Sequence, residues 1–105
     1  MTDTFKKLAQ QQIPNSATTV YTVPSSTQTI VRHIRVTNPT GSDATLKLWH
    51  DGNADTNIIL PFVTILAGGW GEFDGIILME TADTLQTNSG TNNALTITVY
   101  GDEIT

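Results

Sequence analysis

Four groups of residues in this chain have types and spacing that could do chemistry. Asp51-x-Asn53-x-Asp55 matches the first three ligand positions of a calcium loop. The match then fails, because Thr56 stands where the loop needs glycine and Phe62 where it needs a bidentate glutamate. Asp and Asn also cap their own backbone in turns, so a plain turn is the stronger reading. His33 and His50 are the only histidines, which excludes a three-histidine zinc site. No G-x-S-x-G elbow or comparable signature supports a hydrolytic triad. Gly68-Gly69-Trp70-Gly71 lacks the Lys-Ser/Thr pair and following helix of a phosphate loop, and reads as a hairpin turn. Trp49 and Trp70 could stack on sugars, although two tryptophans in a small β-domain more often serve a core or a protein interface. The residues therefore predict no enzymatic activity, no cofactor and no required metal.

Composition narrows the classes further. At 105 residues the chain is one domain with one modest core. Ten acidic against five basic residues give a net charge of −5, which argues against nucleic acid as a partner. There is no cysteine, hence no disulfide and no thiolate metal site. No apolar run reaches the ~18 residues of a membrane span, and the N-terminal stretch has no signal-peptide core, so use without an export signal of its own is expected. Only 14% of residues are charged; Thr, Asn, Gln and Ser fill the surface instead, which suits faces that rest on other protein.

The elements that would position these residues read as short strands. The longest uninterrupted run is Thr29 to Thr37, with Ile30, Ile34 and Val36 assigned to one face and Val31, His33, Arg35 and Thr37 to the other. Arg32 breaks that apolar phase, and either snorkels to the sheet edge or pairs with a carboxylate of this chain or a neighbour. Further strands are expected at 18–23, 44–50, 57–62, 70–73, 76–79, 84–87 and 94–100, with 29–37 and 44–50 paired as a hairpin. Residues 1–13 are expected to form an N-terminal arm or edge strand, and residues 14–105 a single β-sandwich domain. The count of seven to eight short strands without a long helix predicts an all-β antiparallel β-sandwich or jelly roll. Ile30, Ile34, Val36, Leu46, Leu48, Leu95, Ile97 and Val99 are its expected core.

Several segments then resemble a family of small β-structural proteins of tailed-bacteriophage virions. They are Thr19-Val20-Tyr21-Thr22-Val23-Pro24, the run Ile30 to Asn38, Ala82-Asp83-Thr84-Leu85, and the run Ala94 to Ile104. The family pattern has Ala-Gly-Asp at the turn where this chain has Thr81-Ala82-Asp83, which leaves the turn type open. The resemblance implies a structural protein made in the host cytoplasm and located in the virion, in the head rather than the tail. It implies a capsid decoration (cement) protein, a homo-oligomer with a trimer as the expected form, with the major capsid protein as partner. The alternative is a tail-fibre, collar or glycan-binding module. Phe5, Leu8, Arg32, His33, Arg35, Trp49 and Trp70 are the candidate interface residues, with Phe5 and Leu8 expected to cross between subunits.

Overall fold

A computed structural model describes residues 2–105. The chain forms eight strands: β1 (Asp3–Ile13), β2 (Thr18–Thr22), β3 (Gln28–Thr37), β4 (Ala44–His50), β5 (Ile58–Ile65), β6 (Trp70–Met79), β7 (Thr84–Ser89) and β8 (Leu95–Ile104). They make two four-stranded antiparallel sheets in the orders β1-β8-β3-β6 and β2-β7-β4-β5. That interleaving is the jelly roll, since almost every connection carries the chain from one sheet to the other. Only β4 and β5 are both consecutive and paired. The expected hairpin of 29–37 with 44–50 does not form, because β3 and β4 lie in opposite sheets. The connection of residues 38–43 instead spans the gap between sheets, roughly 10 Å in a sandwich.

Asn38 makes that crossing possible. Its side chain is buried and donates to the carbonyls of Ser42 (2.8 Å) and Ile65 (2.9 Å), while its Oδ1 accepts from the Thr40 N–H (3.1 Å) and hydroxyl (2.7 Å). The Asn38 N–H also donates to Gly69 O. One polar side chain thus ties the β3–β4 crossing to the end of β5 and its following turn, with all its bonding capacity used.

The core differs from expectation along β3. Ile34, Val36, Leu46, Leu48, Leu95, Ile97 and Val99 are buried, but Ile30 is only half-buried, and Val31 and Thr29 face inward in its place. The reason is a bulge at Arg32. Between the pairs Val31–Ile77 and His33–Asp74, Arg32 stands opposite both Gly75 and Ile76, and it has no partner on β8. One extra residue reverses the facing of everything before it. β1 carries a matching extra residue, Leu8, between Lys7 and Ala9, so the disruption lines up across the sheet while β8 runs through unbroken. β8 passes this line at Gly101, where a Cβ would lie 2.3 Å from the carbonyl oxygen of Ile30 and 2.9 Å from Leu8 Cδ1.

All four edge strands are interrupted. β1 is bulged at Leu8, β2 shifts register between Thr19 and Tyr21, β5 contains Pro61 and two register shifts, and β6 is bulged at Gly75–Ile76. Bulges and proline blunt an edge against strand addition. Sparse charge along the strands therefore does not oblige neighbouring chains to cover these edges. Residues 3–13 pair with β8 and end in the fully buried Ile13. Removing them would take the buried Ile13 out of the core and leave β8 unpaired on one side.

The sheets are also tied by a polar bridge at one end. Tyr21, from β2, donates its hydroxyl proton to Glu103 of β8 and accepts from the Thr29 hydroxyl of β3 (2.8 Å). Lys6 Nζ lies 2.8 Å from the other Glu103 oxygen. Burial first, then the bond to Glu103, pushes Tyr21 up to about 12. The hydrogen bonds from Lys6 and then Tyr21 hold Glu103 below the usual carboxylate range.

Two measurements follow from these local arrangements. The turn before β7 holds Ala82 at φ +72°, with Asp83 N–H bonded to Glu80 O, the geometry in which glycine is favoured. Ala82→Gly should therefore raise stability by up to about 1 kcal/mol in urea unfolding, whereas Gly101→Ala should cost about 1–3 kcal/mol or more. The Tyr21–Glu103 bridge has a sign at both ends of the pH scale. A raised phenol contributes stability below its unfolded value of about 10, lost as pH climbs towards 12; a lowered carboxylate contributes above its unfolded value of about 4.3, lost on acidification. Ultraviolet titration should show one tyrosine ionising near pH 12, absent in Tyr21→Phe, and Glu103→Gln should flatten the acid limb of the stability profile.

Candidate interaction site

The sandwich is closed on one side and open on the other. On the closed side β1 and β2 meet, and the neighbouring connections are bonded: Ser89 N–H to Pro14 O (3.0 Å) and Asn93 N–H to Ile13 O (2.9 Å). On the open side lie β5, the edge of one sheet, and β6, the edge of the other. β5 reads Ile-Ile-Leu-Pro-Phe-Val-Thr-Ile, apolar without alternation. Its two register shifts leave Ile59 and the Pro61–Phe62 pair as extra residues against β4. The β6 bulge does the same for Gly75 and Ile76. Ile59, Pro61, Phe62 and Ile76 are exposed at these irregularities.

The result is a concentration of exposed apolar groups. Ile59, Phe62, Leu66, Trp70, Ile76 and Leu78 are exposed along β5, its turn and β6; Phe62 is 72% and Ile76 69% accessible. Among the described residues Phe5, on β1, is the only other large exposed hydrophobic. Between β5 and β6 a cleft of about 190 Å³ reaches down to Val31, Ile34, Leu48 and Phe73, with Ile59 and Ile76 among its lining and Asp74 its charged group. Apolar exposure gathered on one side of so small a molecule marks a contact surface.

The polar residues form a separate network on the outer face of the β3–β6 sheet. Arg35 pairs with Glu72 and also lies 4.8 Å from the centroid of the Trp70 ring. His33 Nδ1 bonds Asp74, and its Nε2 lies 3.5 Å from Glu72. Arg32 pairs with Asp102, whose side chain is only 7% exposed, so the partner Arg32 requires lies within this chain. Phe5 shares a row with Asp102, Ile30 and Leu78 on this face. Leu8 sits in the β1 bulge, half-buried against Gly101.

The two tryptophans part company. Trp49 is 6% exposed and unable to stack on a ligand; Trp70 is 61% exposed. His50 ends β4 and lies 3.2 Å from Asp83, which also accepts the Glu80 N–H. That arrangement fastens a strand end to a turn. Around Asp51, the side-chain amide of Asn57 donates to the carbonyls of His50 and Asp51 and so closes the loop as a turn. Among the described residues no three His, Cys, Asp or Glu side chains are grouped to hold a metal ion. Of the exposed apolar residues along β5 and β6 the sequence singles out only Trp70; for the others the unbroken apolar run 58–63 is the signal it offers.

No protein-family model matches the chain, and no curated protein matches its sequence. Two solved structures share its fold over nearly its whole length. A chain from the acidic stable capsid of Helicobacter pylori bacteriophage KHP30 superposes with a TM-score of 0.61 at 11% identity, covering 98% of this chain and 87% of that one. A chain from the disulfide-linked pili of Bacillus endospore appendages gives 0.56 at 16% identity, covering 99% and 88%. At such identities the likeness is one of fold.

The paired cations respond differently to removal. Arg32→Ala should cost about 1–3 kcal/mol by leaving the buried Asp102 without its partner. Arg35→Ala, at an exposed pair and an exposed ring, should cost less than about 1 kcal/mol. Equal costs in denaturant unfolding would mean that Asp102 finds compensation elsewhere.

Proposed function

We propose that this chain is a non-enzymatic structural protein of a bacteriophage virion, and specifically a head decoration protein that bridges major capsid subunits as a homo-oligomer. The observation that carries the reading is the apolar open side between β5 and β6, on a molecule in which, among the described residues, every buried side-chain polar atom has a hydrogen-bond partner. An exposed apolar edge of this extent needs a protein partner in the working assembly. The capsid chain with the same fold supports a virion as the setting. The net charge of −5 is unfavourable for binding nucleic acid, which fits a partner that is protein. Decoration has a simple physical basis. A standard interface of roughly 1,600 Å² suffices for specific docking, and bridging several subunits makes the later contacts effectively intramolecular.

A glycan-binding module of the tail is the second reading, and exposed Trp70 is the observation in its favour. Arg35 already lies over that ring, so a sugar would have to displace it or use the other face.

The test is co-sedimentation of the full chain with DNA-filled heads and, separately, with tails of the phage that carries the gene. Binding to heads and not tails is expected. Phe62→Asp and Leu66→Asp should each weaken it at least tenfold without lowering the melting temperature, since both side chains are exposed. Binding to tails alone, or saturable binding on a glycan array lost in Trp70→Ala, would replace the decoration reading with the second.

A further inference from the structure

We infer that copies of this chain join head to tail, with Phe5 of one copy seated in the cleft between β5 and β6 of the next. This deepens the oligomeric part of the proposed function and rests on it only for the purpose such an assembly serves. Donor and acceptor lie at opposite edges of the same sheet. β1, which carries Phe5, is its first strand, and β6, which forms one wall of the cleft, is its last. Three strand spacings, roughly 14 Å, separate them, so one copy cannot satisfy itself.

Size favours a phenyl ring. An apolar cavity of about 150 Å³ accommodates benzene, and this cleft measures about 190 Å³. Phe5 is 64% exposed, so docking would remove most of a ring from water. Charge agrees. Phe5 is followed by Lys6 and Lys7; Lys6 is engaged with Glu103, while Lys7 reaches only the Gln10 side chain. The charged residue of the cleft is Asp74, 80% exposed and bonded on its own copy to His33 Nδ1, with its second carboxylate oxygen left to face a neighbour. Seating Phe5 brings Lys7 of one copy towards Asp74 of the other. Phe62 is a poorer candidate. It lies on the same edge as the cleft and its ring is capped by Lys47 at 4.4 Å.

Because the contacting surfaces differ, the contact is heterologous and propagates until rotation closes it into a ring. The experiment uses the absence of cysteine, so that introduced thiols are the only ones present. Phe5→Cys and Ile76→Cys chains are mixed at about 1 mM, the upper end of weak association, and oxidised. A disulfide-linked dimer containing one chain of each kind is expected, with little product from either variant alone. In sedimentation of otherwise unaltered chains, Phe5→Ala and Ile76→Asp should each weaken association at least tenfold, and the double variant no further, as for two sides of one contact. Both positions are exposed, so unchanged melting temperatures serve as the folding control. Ile76→Cys linking to itself as readily as to Phe5→Cys would mean a two-fold pairing of open edges and overturn the inference. So would a protein monomeric at that concentration with no mixed product, or single-variant losses that multiply in the double variant. The two readings fail separately: a monomer that still coats heads removes only this contact, and mixed cross-linking without head binding removes only the capsid partner.

Discussion

The bulge at Arg32 is the constraint on which the rest of the sheet depends. β3 is an interior strand, hydrogen-bonded to β8 on one side and β6 on the other, so its facing is imposed on both neighbours. An unbroken β3 would have to place either Ile30 or Val31 in register with Ile34 and Val36. The extra residue chooses Val31 and Thr29, and Thr29, turned inward, bonds the Tyr21 hydroxyl that donates to Glu103. The same line crosses β1 at Leu8 and β6 at Gly75–Ile76. It is also where Asp102 is buried and where Gly101 has no room for a side chain. Arg32 is therefore tied to Asp102 for a reason of geometry: the bulged residue holds the nearest cation to a carboxylate that the displaced register has covered.

The open side has a separate origin. In a jelly roll the two sheets approach at one pair of edges more readily than at both, because twist carries the other pair apart. Here β1 and β2 close, and β5 and β6 are left with an apolar cleft between them. Ile59 and Ile76, which stand beside the register shifts, present aliphatic groups at its mouth. The interrupted edges thus discourage backbone pairing, while apolar side chains stay exposed beside them.

How far the sequence could reveal this varies with the physics involved. The strict alternation of Leu95, Ile97 and Val99 depends only on local periodicity, and it survives intact in β8. The class of fold follows from strand count and turn spacing, which are likewise local. The facing of Ile30 does not, since a bulge is a property of three strands together and Arg32 gave only the sign that the phase was disturbed there. The supposed hairpin of β3 and β4 had the correct turn residues but the wrong partner, because Asn38 uses its side chain to cross between sheets. Trp49 and Trp70 are alike in the sequence; their different exposure is decided by a central strand in one case and an edge strand in the other. The open side was legible as composition, in the run from Ile58 to Val63, but not as a site. An unbroken apolar run reads equally as a doubly covered strand, and only the strand order shows that β5 has one neighbour.

The lack of cysteine limits how such a molecule can be held in an assembly. Disulfide linkage between copies is closed to it, and interrupted edges work against a continuous sheet running from copy to copy. Cohesion has to come from burying side chains that the free molecule leaves in water. The exposed apolar groups lie in two places, a single phenylalanine on β1 and a larger group along β5 and β6. A ring in a cleft is a small contact, and on its own it would be weak and readily reversed. Weak contacts of defined geometry suit a lattice built by repetition, because misplaced copies leave and correctly placed ones are retained by several neighbours at once. The proposed seating of Phe5 in the cleft of a neighbouring copy would be a contact of that kind, formed by a chain without cysteine and so without a disulfide link.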